Sequence, residues 1–155
     1  MLKLTKKADY GLIAMKHLAE HGEFGAVSAK DMADHYAIPQ EALAKILQRL
    51  VKAGLLRSLQ GIKGGYILAR EAQRISVLEV IKVIDGPLFL TSCSDSTSDC
   101  DHATRCTVRE PLRKVSQSIQ EVLGKLTIWD MRDPAAEEME HPHHELVTLG
   151  AAKSL

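Results

Sequence analysis

No apolar run in this 155-residue sequence approaches the ~20 residues that a membrane-spanning helix needs. Residues 1–10 hold three lysines and no apolar core segment, so no secretory signal is expected. Together these exclude a membrane partner and point to the cytoplasm. Cysteine is scarce, with three in the whole chain. An odd number cannot close into disulfides alone, and in a reducing compartment clustered thiols more often serve metal or redox chemistry. Internal repeats are missing. Net charge is also missing overall, but not locally. Residues 1–70 hold eleven Lys/Arg against six Asp/Glu, whereas residues 71–155 hold nine against fourteen. A basic amino half fits an anionic partner, nucleic acid being the commonest, or simply an uneven solvated surface.

What is present begins with a helix over residues 4–20, capped by Thr5. Leu12, Met15, Leu18 and Ala19 recur on one face, and Gly11 weakens the helix by ~1 kcal/mol unless a neighbour packs closely against it. Ser28 and Asp31 have capping-box spacing and start a short helix to His35. After a turn at Tyr36–Ile38, Pro39 opens a second helix that runs to Ala53 and stops at Gly54. Leu43, Ile46, Leu47 and Leu50 form its apolar stripe, with Glu41, Lys45, Gln48, Arg49 and Lys52 off it. Two short helices joined by a tight turn are the pattern of a helix-turn-helix. Two β-prone runs, 55–59 and 66–69, flank Gln60-Gly-Ile-Lys63-Gly-Gly65 and predict a hairpin wing. The candidate DNA contacts are Ser28, Gln40, Lys45 and Arg49 from the helices, and Gln60 and Lys63 from the wing. Lys6, Lys7, Lys52 and Arg57 are placed nearer phosphate or water.

A packed helix follows over residues 76–85, with a second capping box at Ser76 and Glu79 and a stop at Gly86-Pro87. All three cysteines then fall within fourteen residues, Cys93, Cys100 and Cys106, as C-x6-C-x5-C. The residues between them are small, polar or acidic and offer no core. Zinc, thiol redox sensing and an iron–sulfur cluster all remain open. Structural zinc favours closer ligand pairs, redox sensing needs only one or two thiols, and a cluster tolerates wider spacing and normally takes four ligands. A long helix from about 108 to 126 carries Val108, Leu112, Val115, Ile119, Val122 and Leu126 at steps of 4 and 3. That heptad seam is either a dimer interface or a face packed on its own domain. From Arg132 the chain is rich in Pro, Glu and His; His141, His143 and His144 are metal candidates or part of a solvated tail. The expected architecture is mainly α with a small β-hairpin wing: a winged helix-turn-helix over 1–70, a packed helix, cysteine loop and dimerisation helix over 71–131, and a mobile tail over 132–155.

Several stretches together resemble a known family: Leu4-Thr-Lys-Lys-Ala-Asp9-Tyr-Gly11, Ala37-Ile-Pro39, Leu50-Val-Lys-Ala-Gly54-Leu55, Gly61-Ile-Lys-Gly-Gly65-Tyr66, Ile75-Ser-Val-Leu-Glu79-Val-Ile81 and the three spaced cysteines. Over residues 1–131 the chain resembles the bacterial winged-helix iron–sulfur and redox-sensing regulators of the IscR, NsrR and SUF-system group. Residues 86–93 and 106–113 look most like the SUF-linked members. The resemblance implies a non-enzymatic homodimer that binds palindromic duplex DNA. It also implies a 2Fe–2S or 4Fe–4S cluster on Cys93, Cys100 and Cys106. The His that IscR-type members carry three residues after the last Cys is Arg109 here. In NsrR-type members an Asp from the partner subunit completes the site, and Asp9 stands at that position; its other reading is an acid favoured by the helix dipole. His102 and Glu110 are the remaining fourth-ligand candidates. Control of SUF assembly genes is implied by resemblance alone. A clusterless thiol- or zinc-responsive regulator and an iron–sulfur electron carrier are the alternatives.

Overall fold

The Thr5 hydroxyl accepts a hydrogen bond from the Ala8 amide at 3.2 Å, and there α1 (Lys6–His21) begins. The computed structural model describes residues 4–91, 101 and 104–133. Ala8, Leu12, Met15 and Leu18 enter the core from α1, and the 3₁₀ turn Gly22–Phe24 ends the helix. Ser28 starts α2 (Ala29–His35) by accepting from the Asp31 amide at 3.0 Å. The turn into α3 (Gln40–Lys52) sets Ala37 at φ 51°. On α3, Leu43, Ile46, Leu47 and Leu50 are buried, while Glu41, Lys45, Gln48, Arg49 and Lys52 are exposed. Spacing of 3.6 residues per turn separates the two faces. Gly54, at φ 77°, follows the helix end.

The wing is an antiparallel pair, β1 (Leu56–Leu59) and β2 (Gly65–Leu68), in register from Leu56 opposite Leu68 to Leu59 opposite Gly65. Leu55 and Leu56 sink its base into the core, and a further backbone tie to the helices carries no sequence pattern. Val27 exchanges hydrogen bonds with Tyr66 at 3.1 and 2.8 Å, one residue before the α2 cap. Gly65 makes that approach feasible. It sits at φ 154°, and a Cβ there would run into the Val27 carbonyl. Gly65→Ala is therefore expected to destabilise the fold by about 1–3 kcal/mol and to loosen the wing. Urea unfolding and proteolysis at the hairpin check both.

Ser76 caps α4 (Val77–Asp85), accepting from the Glu79 amide at 3.1 Å. The reciprocal half of the expected capping box does not form, because the Glu79 carboxylate pairs with Arg70 at 2.6 Å. Val77, Val80, Ile81 and Ile84 join the same core as α1 and α3, so the hydrophobic interior runs across residue 70 without a break. Gly11 explains itself here: a Cβ on it would overlap the end of Ile84. Close approach of α4 to α1 offsets the helix propensity that glycine forfeits.

After the segment that follows α4 comes α5 (Arg109–Lys125). It turns Ser116 inward, and Gly124 lies where a Cβ would meet Leu78 at 3.6 Å. The chain then returns under α4. Val77 donates to the Leu126 carbonyl and Ile128 to the Ile75 carbonyl, each at 2.9 Å. Ile128 is fully buried, and the 3₁₀ turn Trp129–Met131 follows. Residues 126–131 thus pin the end of α5 to the core. Among the described residues no helix is long and apolar enough to cross a membrane.

Candidate functional site

Gln40 and Lys45 lie exposed on α3, and Gln60 and Lys63 lie exposed at the wing. Ser28 is half-buried at the α2 cap, where its oxygen is already an acceptor; its O–H remains able to donate. Arg49 differs from the others. Its Nη1 donates to the Ile84 carbonyl at 3.2 Å, at the end of α4. A cation there also meets the negative pole of that helix. The Asp85 carboxylate accepts from the Thr5 hydroxyl at 2.5 Å and from the Thr5 amide at 3.3 Å. One turn of α4 is thus bonded both to α3 and to the N-cap of α1. Gly86, at φ 85°, leads from that turn toward the cysteine segment. The sequence marks Arg49 as a candidate DNA contact; its bond to Ile84 depends on how α3 and α4 cross.

Cys93, Cys100 and His102 lie outside the described residues, as do His141, His143 and His144. Cys106 is a half-buried free thiol three residues before α5. Asp9 is exposed on the first turn of α1, its amide bonded to the Thr5 carbonyl at 3.1 Å. The described residues bring no three His, Cys, Asp or Glu side chains into metal-binding range. By donor chemistry, the three thiols suit an iron–sulfur centre, to which the Asp9 carboxylate would be a harder fourth donor. Glu110 fits less well. Both its oxygens pair with Arg113, at 2.8 and 2.6 Å, and the guanidinium holds its carboxyl below the usual range. It would have to release that partner to bind iron.

The α5 seam faces outward. Val108, Val115, Val122 and Leu126 are exposed, Val122 by 67%, and Leu112 and Ile119 are half-buried. Lys114, Ser118 and Leu123 join Val115, Ile119 and Val122 around a shallow apolar groove. An apolar stripe left on the surface of one chain has the form of a helix–helix interface.

A second cluster was not anticipated from the sequence. His17 is buried and its Nδ1 lies 2.9 Å from the Tyr36 hydroxyl. Its ring stacks on His21 at 4.2 Å, with His35 at 5.6 Å. The i, i+4 spacing of His17 and His21 was visible; the crossing that adds His35 and Tyr36 was not. Burial, then the charges of His21 and His35, push the His17 pKa down to about 4, with Glu20 opposing and Lys16 adding slightly. The folded chain therefore takes up this proton at lower pH than the unfolded chain, whose His17 titrates near 6.5. Stability should fall as pH drops from about 6.5 to 4, by at most about 1.4 kcal/mol per pH unit from this group. His17→Gln should flatten that part of the profile in thermal melts read as the difference from wild type.

A polar, exposed second helix and an adjoining hairpin define a winged helix-turn-helix, a class that reads duplex DNA. The chain belongs to the Rrf2 family of iron-dependent transcriptional regulators, which it matches over residues 4–134. It is 33% identical over 130 residues to the regulator IscR of Xenorhabdus nematophila, covering 84% of this chain and 79% of that protein. The solved IscR of T. potens superposes with a TM-score of 0.69 at 34% identity, covering 92% and 93%. CymR, the global cysteine regulator of B. subtilis, superposes at 0.70 with 30% identity, covering 84% and 96%. The chain is accordingly a DNA-binding transcriptional regulator and not an enzyme.

Proposed function

We propose that this regulator is a cytoplasmic homodimer that binds a palindromic operator and reports iron–sulfur status, controlling SUF assembly genes. Cys93, Cys100 and Cys106 would hold the cluster, with Asp9 of the partner subunit as fourth ligand. The carrying observation is the last turn of α4. Asp85 and the Ile84 carbonyl hold Thr5, the cap of α1, and Arg49 of α3, and the chain then enters the cysteine segment. When bound, a cluster supplies a centre sensitive to oxidation, nitric oxide and iron supply. Everything else is done by the chain. The thiolates anchor residues 93–106, and that anchor biases Gly86 and Asp85. Asp85 and Arg49 pass the bias to the two helices that set recognition geometry. Half-sites lie about 34 Å apart, so a small change in helix angle decides whether both engage. A carboxylate ligand is harder than thiolate and exchanges more readily on iron, which suits a sensor.

The likeness to CymR of Staphylococcus aureus, solved in an oxidized form and superposing at a TM-score of 0.68 with 26% identity, favours a second reading: a clusterless thiol- or zinc-responsive regulator. Iron and sulfide content separates the two. An iron–sulfur electron carrier, by contrast, has no use for a winged helix.

Asp85→Ala is the test of the coupling. It should keep its iron and sulfide, yet reduce the affinity difference between cluster-bearing and cluster-free protein from about tenfold or more to under about threefold. An unchanged difference would remove Asp85 from the account. Asp9→Ala should shorten the lifetime of the cluster in air. An equal lifetime in wild type and variant excludes Asp9 as a ligand.

A further inference from the structure

We propose that Ile62, at the wing tip, is an apolar wedge that enters the minor groove of bound duplex DNA and opens a base step, bending the DNA. The idea rests on the DNA-binding reading and adds to it the residue and the deformation. Ile62 is fully exposed, more so than any other large hydrophobic side chain described. Val108, Val115, Val122 and Leu126 have the α5 seam, and Trp129 lies beneath the Arg132 guanidinium. Ile62 touches no core. A lone surface aliphatic ordinarily calls for no partner; the setting of this one is what differs.

The tip is narrow and fixed. Gly64 donates to the Gly61 carbonyl at 3.0 Å, closing a turn in which Gly61 sits at φ 116°. A Cβ on Gly64 would come within 2.5 Å of the Leu59 carbonyl and 2.8 Å of the Gly61 carbonyl. Four paired residues on each strand and the Val27–Tyr66 bridge hold the hairpin below it. Exposed turn positions ordinarily favour Gly, Asn, Asp, Ser or Pro, each for a backbone reason. Isoleucine offers no such reason. It does offer a β-branched side chain with few rotamers, so little entropy is lost on insertion.

The surroundings suit the minor groove. That groove is about 6 Å wide, and one side chain next to glycine can enter where a bulkier tip would jam. Lys63 and Gln60, both exposed beside Ile62, would hold the flanking phosphates or base edges. Isoleucine is among the side chains that unstack base steps from the minor groove. Pyrimidine–purine steps yield most easily, so the wing should favour TA or CA/TG beneath it.

The test uses the full-length protein and a duplex that wild type enriches from a random pool, labelled at its ends with a donor and an acceptor dye. Wild type should raise energy transfer on binding. Ile62→Ala should lose most of that rise and bind about tenfold more weakly, as expected when a wedge of this kind is removed. Ile62→Leu should restore the bend. Ile62→Lys should bind tightly at low salt yet leave the DNA straight, which an electrostatic contact would not distinguish but a wedge does. Equal bending by wild type and Ile62→Ala, or full bending by Ile62→Lys, overturns the wedge alone. Failure of wild type to enrich any duplex overturns the DNA-binding reading, and the wedge with it. Because Ile62 touches no core, unchanged thermal melts should accompany every variant.

Discussion

Cys106→Ser should leave the fold intact and remove the cluster. Cys106 is half-buried, precedes α5 and is paired with no other side chain in a disulfide. Serine keeps its shape but is a more polar, hard and weakly acidic donor that does not replace thiolate on iron. With three thiols in the chain, none is spare. Iron and acid-labile sulfide should fall to about a tenth or less of wild type, since clusters normally need a full set of four ligands. Thermal stability of the cluster-free proteins should differ little, because the substitution touches no core residue. DNA affinity should equal that of wild type stripped of its cluster. A serine variant with full iron and sulfide would move the cluster elsewhere; a colourless wild type would leave the thiol or zinc alternative.

Val122→Glu should break the proposed homodimer into monomers. Val122 is the most exposed residue of the α5 seam, and Val115 one heptad earlier is half exposed. In a lone chain the substitution touches mainly solvent, so the monomer should fold as before. Across a two-fold axis it would place two carboxylates in one apolar seam, where burial of unpaired charge costs several kcal/mol. Sedimentation should show the dimer mass for wild type and the monomer mass for the variant at the same concentration. Affinity for a two-half-site duplex should drop by about a hundredfold or more, because linked half-sites gain that much by avidity. A Val122→Glu variant that stays dimeric would place the interface elsewhere.

Local signals were legible and distant ones were not. Thr5, Ser28 and Ser76 cap their helices because a cap needs only its own first turn. The α3 stripe follows from periodicity, and the glycine-rich turn marks the hairpin. The outward face of the α5 seam was readable as a pattern, though its two possible uses were not separable by periodicity. Glu79 shows the limit of a local rule: Arg70, nine residues away, outcompetes the cap amide for its carboxylate. The Val27–Tyr66 bridge rests on one residue and leaves no alternation to find. Arg49, Asp85 and the His17 cluster acquire their partners only when α1, α2, α3 and α4 cross. The site was therefore half legible. Its candidate donors stood in the sequence, and the bonds from the end of α4 to Thr5 and Arg49 appeared only with the packing of α4.

The most direct measurement is the affinity of anaerobically purified protein for one selected duplex, taken before and after the cluster is removed, with iron and sulfide assayed on the same sample. A coloured protein whose affinity changes about tenfold or more on bleaching is the predicted result. Protein without iron or sulfide, or one whose affinity is the same in both states, would contradict the proposal that the three thiols between α4 and α5 in the sequence govern DNA binding.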